Sequence, residues 1–376
     1  MSSSFDDIRP FNDDEYHAVV NELLEVEPLQ KALQYYIPNT SLSDLKVLMN
    51  SFKSVQEFQS NIACRIVQGI IDYSIEEFTF DGILKLDKEE TYLLMSNHRD
   101  IVLDSALINY CLDTRNYNTC EIAIGSNLLS QPWIKNLVRL NKSFIVKRNI
   151  PKQDMLEASK NLSAYIYHAL KNKRQSLWIA QREGRAKDGN DKTNPGLLKM
   201  FALSNEGDLL DYLISLNITP VSISYEIDPC DYLKIPELIA KSKEEVYQKA
   251  EGEDVLHMAL GMKENKGRTH FQFCQPINEE LKQFSEIKNR NELLKNVAEL
   301  IDATIYKNYK LWSTNYIAYD LLHQNDKYSS NYSPDEKQMF IEYTTDRLKD
   351  FTGNDLAFEL FYKMYANPVI NFEKVI

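Results

Sequence analysis

Seven short apolar runs alternate with helical patterns through the middle of this chain, and that alternation limits the possible folds more than any other feature. The runs have strand length and are predicted at residues 78–84, 92–95, 120–125, 143–147, 176–180, 218–225 and 269–274. Helical segments between several of them indicate an α/β fold, with a mixed sheet flanked by helices. Ligands of such sheets bind outside the carboxyl ends of the strands, so residues that follow each run are the candidates for function.

Both ends of the chain have the apolar spacing of helices rather than of strands. We therefore predict an N-terminal helical region at residues 1–76, an αβ domain at 77–280 and a C-terminal helical region at 281–376. A chain of 376 residues with 43% hydrophobic content is long enough for two or three units and apolar enough for a sizeable core.

Composition excludes several classes of protein. A net charge of −12 argues against nucleic acid as the main partner. The five cysteines lie far apart and form no Cys-x-x-Cys pair, which argues against a zinc site and a disulfide framework and fits a reducing cytoplasm. Because the sequence has neither a secretory leader pattern nor a long apolar run, we expect a cytoplasmic protein that does not span the membrane.

One segment of this acidic chain is strongly basic. Residues 131–200 contain 15 Lys and Arg against 5 Asp and Glu, a local net charge of +10. Such a segment is a candidate site for an anion, although any single lysine in it is more often part of a solvated face.

His98 lies where the apolar run 92–95 gives way to a helical pattern that we predict to begin near Arg99. Asp104 is a lone carboxylate in that otherwise apolar helix, so it needs a partner, and His98 is the nearest in sequence. A histidine backed by a buried aspartate can act as a general base. Asp100 shares a helix face with Asp104 and could also reach the imidazole, or could simply favour the helix N-terminus. A lone histidine is more often structural than catalytic, so these residues alone favour a purely structural interpretation.

Basic residues follow two of the predicted strands. Lys147 and Arg148 come directly after one strand, and Arg182, Arg185 and Lys187 follow another, with Gly184 among them. Arginine binds phosphate through two parallel hydrogen bonds, and glycine permits close backbone approach, so these clusters suit a phosphomonoester. A loop with surface ion pairs explains each cluster equally well when it is considered separately.

Other catalytic templates do not fit the sequence. Gly184 and Gly189 have P-loop spacing, but Asn190 and Asp191 follow where Lys and Ser or Thr are needed. The sequence has no Gly-x-Ser-x-Gly motif and no histidine cluster with metal-ligand spacing. We therefore expect no nucleotide site, no serine-hydrolase elbow and no metal.

Five blocks of this sequence, in order, resemble the conserved blocks of the glycerolipid acyltransferases. Asn97-His98-Arg99 with a following aspartate resembles the family's Asn-His-x4-Asp motif. The other blocks are 125–128 (GSNL), 144–148 (FIVKR), 183–187 (EGRAK) and 218–226 (ITPVSISYE). The resemblance covers about residues 78–277 and leaves both helical ends unaddressed.

The resemblance implies an αβ acyltransferase domain in which His98 deprotonates a glycerol hydroxyl. As the carboxylate that completes the dyad we favour Asp104 over Asp100, for its buried surroundings. That oxygen attacks the thioester of acyl-CoA or acyl carrier protein, so the acyl donor is a co-substrate and no cofactor is implied. The acceptor is a glycerol phosphate, either glycerol 3-phosphate or 1-acylglycerol 3-phosphate, and peripheral contact with the membrane surface is implied. The implied acceptor-binding residues, grouped around two arginines, are Lys147, Arg148, Glu183, Gly184, Arg185 and Lys187.

Two departures from the family pattern bear on this interpretation. The spacing is His-x5-Asp, with Leu103 where the family has its aspartate, and one residue is missing between Glu183 and Arg185. Two rival functions therefore remain open at the level of sequence. One is an N- or O-acyltransferase of aminolipid synthesis, and the other is an inactive phospholipid-binding module in which the altered spacing has broken the dyad.

Overall fold

The computed structural model describes residues 5–129 and 131–376. Within these residues one mixed sheet of seven strands forms the centre of the fold. In chain order the strands are β1 (Glu77–Asp81), β2 (Leu93–Ser96), β3 (Glu121–Gly125), β4 (Ser143–Val146), β5 (Leu177–Ala180), β6 (Ile218–Tyr225) and β7 (Arg268–Phe273). All seven predicted strands are present and the predicted fold class is confirmed.

The strands are ordered β1-β7-β6-β2-β5-β3-β4 across the sheet. Only β6 and β7 pair antiparallel, so β1 and β7 run against the other five strands. In the middle of the sheet Ser96 of β2 pairs with Ala180 of β5 on one side and with Val221 of β6 on the other. This register brings the segments that follow β2 and β5 to the same edge of the sheet, beside the last residues of β6.

Helices cover both faces of the sheet and form both ends of the chain. The N-terminal helices are α1 (Tyr16–Leu24), α2 (Glu27–Tyr36), α3 (Leu42–Ser51), α4 (Val55–Phe58) and α5 (Cys64–Ser74). Those between strands are α6 (Leu103–Thr114), α7 (Pro132–Leu140), α8 (Lys152–Lys171), α9 (Pro195–Phe201), α10 (Leu209–Ser215), α11 (Asp231–Ser242) and α12 (Glu253–Lys263). Five more follow β7, namely α13 (Asn278–Leu281), α14 (Arg290–Lys307), α15 (Ser313–His323), α16 (Pro334–Arg347) and α17 (Asp355–Phe372).

Strand alternation divides the core between the two faces of the sheet. Leu93 and Met95 of β2 pack with α8 and α14 on one face, whereas Leu94 packs with α5 and α6 on the other. Both faces are therefore apolar, which is why the central strands are continuous apolar runs in the sequence. The N-terminal helices and the last helices add apolar clusters of their own. The division into three regions at residues 76 and 280 stays a prediction.

Candidate active site

The segment after β2 is fixed to the neighbouring strand by Asn97. Its side-chain amide donates to the carbonyl of Ile223 (2.9 Å), and its Oδ1 accepts from the Ile223 N–H (2.8 Å). Asn97 is fully buried, so both hydrogen bonds form away from water. These two hydrogen bonds between the end of β2 and β6 hold the next residue, His98, at the edge of the sheet.

His98 contacts Asp104 directly, with 2.7 Å between His98 Nδ1 and Asp104 Oδ2. Asp104 is fully buried in the first turn of α6. Its Oδ2 also accepts from the N–H groups of Arg99 (2.6 Å) and Asp100 (3.0 Å), and its Oδ1 accepts from the Tyr225 hydroxyl (2.9 Å). These donors immobilise the carboxylate that orients the imidazole.

The rest of the His98 ring is held by packing. The indole of Trp178 meets it edge-on at 5.6 Å between centroids, and Trp178 Nε1 is itself fixed by the Ser96 hydroxyl (3.0 Å). Because a carboxylate only accepts hydrogen bonds, Nδ1 carries the proton, which leaves the lone pair on Nε2. Among the described residues nothing bonds Nε2, and the side chain is 13% exposed. The arrangement suits a general base that takes a proton through Nε2.

The helix after His98 begins later than the sequence predicts. We predict its start near Arg99, but α6 starts at Leu103, after the N-cap residue Val102. Asp100 Oδ1 accepts from the N–H groups of Val102 and Leu103 (2.8 Å each), donors that the start of a helix leaves without a partner. The non-helical residues before Leu103 absorb the extra residue of the His-x5-Asp spacing. Asp100 therefore serves the backbone, and Asp104 is the carboxylate beside the imidazole.

These bonds satisfy only one oxygen of Asp100, because its Oδ2 is buried and has no hydrogen-bond partner. Burial and the neighbouring charge of Asp104 raise the pKa of its carboxyl group. A Cβ built at Gly261 of α12 would overlap Asp100 Oδ2, so α12 lies directly against this carboxyl.

Arg99 lies in a buried polar network of its own. Its guanidinium contacts Asp191 Oδ2 (2.7 Å) and the Ala186 carbonyl (3.2 Å). The same Asp191 oxygen accepts from the Tyr309 hydroxyl (2.6 Å), which comes from beyond α14. Asp228 lies 3.8 Å from the guanidinium and also pairs with the buried Lys234. The network ties the His98 segment to the loop after β5 and to the C-terminal helices.

The loop after β5 carries the second predicted cluster, and it is hydrogen-bonded to His98. The Ala186 N–H donates to the His98 carbonyl (2.9 Å), so Arg185 directly precedes a backbone contact with His98. Arg185 is 7% exposed, and its Nη2 lies 2.9 Å from Nδ1 of His257 in α12. Its Nη1 is buried without a hydrogen-bond partner.

The other predicted acceptor-binding residues are more exposed and have partners. Arg148 pairs with Glu183 (2.8 Å), which links the end of β4 to the loop after β5. Gly184 lies beside that pair in the left-handed region at φ +70°, a conformation that glycine adopts without strain. Lys147 pairs instead with Asp7 near the N-terminus (2.5 Å), and Lys187 with Glu237 of α11. Arg148 thus pairs with Glu183 of the loop that also carries Arg185, whereas both lysines pair with other residues.

Several residues of the site were not predicted from the sequence. Tyr225 and Trp178 contact the dyad from two strands that the sequence predicts, but neither side chain was predicted to belong to the site. Their position as aromatic residues in strands that end at the site is the sequence feature that could have indicated them. Asp191 and His257 lie about 90 and 160 residues beyond His98, and only the fold brings them to it.

Two features are absent from residues 5–129 and 131–376, a metal-ligand cluster and a membrane-spanning helix. No group of three or more His, Cys, Asp or Glu side chains is placed to hold a metal ion. None of the described helices is both long and apolar enough to cross a membrane.

Comparison with known proteins identifies the αβ region. Residues 77–224 match the model of the family described as Acyltransferase. Among solved structures, the chain is similar to the 1-acyl-sn-glycerophosphate (LPA) acyltransferase PlsC from Thermotoga maritima, with 13% sequence identity and a TM-score of 0.36. The match covers 78% of this chain and 89% of that one. A search of curated proteins gave no match. Residues 77–224 of this chain are therefore similar to the acyltransferase family.

Proposed function

We propose that this protein is a glycerolipid O-acyltransferase that acylates a glycerol-phosphate acceptor from a thioester donor. The acceptor class is glycerol 3-phosphate or 1-acylglycerol 3-phosphate, and the donor is acyl-CoA or acyl carrier protein. The observation that carries the proposal is the pairing of His98 with the immobilised Asp104, beside a buried Arg185 that has an unbonded Nη1.

In the proposed reaction His98 Nε2 accepts the proton of the acceptor hydroxyl as its oxygen attacks the thioester carbonyl. The tetrahedral intermediate then collapses, the carbon–sulfur bond breaks, and the imidazolium returns the proton to the departing thiolate. Asp104 stays ionised throughout and stabilises the imidazolium through Nδ1. The donor and acceptor supply every reacting atom, so the step is balanced by general acid–base catalysis alone.

Arg185 and Arg148 support the choice of a phosphorylated acceptor. Arg185 is held one residue from Ala186, whose N–H bonds the His98 carbonyl, so an anion on its guanidinium lies close to the base. Arg148 is one third exposed and paired with Glu183, which is 68% exposed. A phosphate can displace such a weakly held carboxylate, since exposed ion pairs contribute about 0–1 kcal/mol.

The inactive-module alternative loses its main support in this geometry. It supposed that the His-x5-Asp spacing breaks the dyad, whereas the late start of α6 leaves His98 and Asp104 in contact. An acyltransferase of aminolipid synthesis would form a different product, an amide or an acylated aminolipid. The identity of the product therefore distinguishes that alternative from the proposed function.

The experiment is a matrix of donors and acceptors with the purified protein, read by mass spectrometry. The donors are acyl-CoA and acyl carrier protein. The acceptors are glycerol 3-phosphate and 1-acylglycerol 3-phosphate, their unphosphorylated counterparts glycerol and monoacylglycerol, and amine acceptors of aminolipid type. We expect ester products with the phosphorylated acceptors and little with their counterparts. Transfer to amines alone, or no transfer to any phosphorylated acceptor, contradicts the proposal.

A further inference from the structure

Arg185 differs from the other buried arginine near the dyad in its lack of a carboxylate partner. Arg99 is paired with Asp191 at 2.7 Å, whereas no ion pair joins Arg185 to an acidic side chain among the described residues. Leaving a charge buried without a counterion is costly unless hydrogen bonds or a bound anion compensate it. The charge of Arg185 acts on the buried Asp100, where it opposes the rise in pKa that burial causes, but no hydrogen bond joins the two side chains. Arg185 therefore has no hydrogen-bonded counterion, and its Nη1 has no partner.

The group that holds Arg185 is the imidazole of His257. His257 is 4% exposed in α12, and its Nδ1 lies 2.9 Å from Arg185 Nη2. A guanidinium only donates hydrogen bonds, so Nδ1 must accept and the ring must be neutral, with its proton on Nε2. Burial and the adjacent Arg185 charge both lower the pKa of His257, which favours that neutral form.

A neutral acceptor fixes a guanidinium without cancelling its charge. A carboxylate in the same place would also hold Arg185, but it would neutralise the charge and compete with an incoming phosphate. We propose that His257 is a positioning residue for acceptor binding, which holds Arg185 toward the phosphate and leaves Nη1 free to donate to it. This inference rests on the proposed function, because it assigns the partner of Arg185 in that same site.

Two further contacts seat α12 against the site. Gly261 lies on Asp100, with no room for a side chain between them. The thiol of Cys230 donates to the His257 carbonyl (3.4 Å) and is itself buried. His257 therefore reaches Arg185 from a helix that is fixed at both points, which is what a positioning role requires.

A purely structural histidine would give the same contact, so the test uses variants that separate the two roles. His257→Ala removes the acceptor, His257→Asn keeps an uncharged acceptor, and His257→Asp supplies a charged one. The readouts are the KM of glycerol 3-phosphate, kcat, and the Kd of inorganic phosphate measured by calorimetry without turnover. Unfolding midpoints control for folding.

We expect His257→Ala to raise both the acceptor KM and the phosphate Kd about tenfold, the size of one hydrogen bond to a charged group, with a smaller change in kcat. His257→Asn should recover most of the loss, and His257→Asp should not, although it pairs with Arg185 more strongly. If folded His257→Ala binds phosphate as the wild type does, the inference is overturned. If His257→Asp binds phosphate as well as His257→Asn, it is overturned even where the alanine variant fails to fold.

Different results would refute the positioning role of His257 and the proposed acyltransferase function. Phosphate binding that depends on His257, in a protein that transfers no acyl group to a phosphorylated acceptor, retains the positioning role and refutes the proposed function. Transfer to glycerol 3-phosphate with an unchanged KM in folded His257→Ala refutes only the positioning role.

Discussion

Two groups of buried polar residues adjoin the segment that carries His98, and they differ in how the charge of their arginine is balanced. In the first group, the paired side, Arg99 forms an ion pair with Asp191, which also accepts from the hydroxyl of Tyr309. In the second group, the open side, Arg185 has a neutral imidazole as its hydrogen-bond partner. Each group has one buried carboxylate oxygen without a hydrogen-bond partner, Asp191 Oδ1 and Asp100 Oδ2, so the difference lies in the partner of the arginine. Buried charges without a paired counterion are costly, so proteins retain them chiefly where a ligand or a reaction uses them. The paired side is expected to maintain the fold, and the open side to bind the acceptor.

The largest effect should separate the two aspartates that flank this segment. Asp104→Asn keeps the shape but removes the charge that stabilises the imidazolium, so it should lower kcat by about 10²-fold to 10⁴-fold. Asp100→Asn retains an oxygen that can cap α6 and should lower kcat far less. The measurement is steady-state acyl transfer by both variants. A larger loss for Asp100→Asn would mean that the assignment of Asp104 to the dyad is wrong.

Breaking the paired side should cost stability. Asp191→Ala leaves Arg99 buried without its carboxylate, and we expect the free energy of unfolding to fall by about 3–5 kcal/mol. Tyr309→Phe is the matched control, because it removes one hydrogen bond to the same oxygen and should cost about 1–3 kcal/mol. Denaturant unfolding measures both. Wild-type stability of Asp191→Ala would show that the network does not support the fold.

Breaking the open side should instead weaken acceptor binding. Arg185→Ala and Arg148→Ala should each raise the acceptor KM by an amount equivalent to about 1.5–3 kcal/mol, the range for a hydrogen bond to a charged group. Arg148→Lys should remain impaired, because lysine cannot form the two parallel bonds. Lys160→Ala is the control, an exposed lysine in the same basic stretch. Equal shifts for all three alanine variants, erased by salt, would reduce the site to a diffuse basic face.

A smaller effect tests how tightly α12 covers the open side. Gly261→Ala places a methyl group on Asp100 Oδ2, so we expect a loss of about 1–3 kcal/mol in unfolding free energy from overpacking. Gly69→Ala in α5 is the matched control. Its added Cβ meets nothing within 4 Å, and it should stabilise the helix by about 0.5–1 kcal/mol. If Gly261→Ala behaves like Gly69→Ala, α12 is not seated against Asp100.

Local patterns were enough to predict the sheet, and long-range contacts explain what they missed. The central strands are buried on both faces, so each is a continuous apolar run that the sequence reveals. The predicted start of α6 near Arg99 was wrong. Residues before Leu103 stay non-helical, with Asp100 Oδ1 bonded to the N–H groups of Val102 and Leu103, and no apolar spacing encodes those bonds. His257 carries no local signal at all, since its role depends on α12 folding over a loop 72 residues earlier in the chain.

The most direct test of the account is acyl transfer by the wild type and by His98→Ala, with glycerol 3-phosphate and the thioester donor that the wild type uses best. Folding of the variant is checked by its unfolding midpoint, and acceptor binding by calorimetry. We expect the folded variant to bind the acceptor as the wild type does and to lose about 10²-fold to 10⁴-fold in kcat, the usual contribution of a general base. Turnover close to that of the wild type in a folded His98→Ala protein would contradict the proposed mechanism.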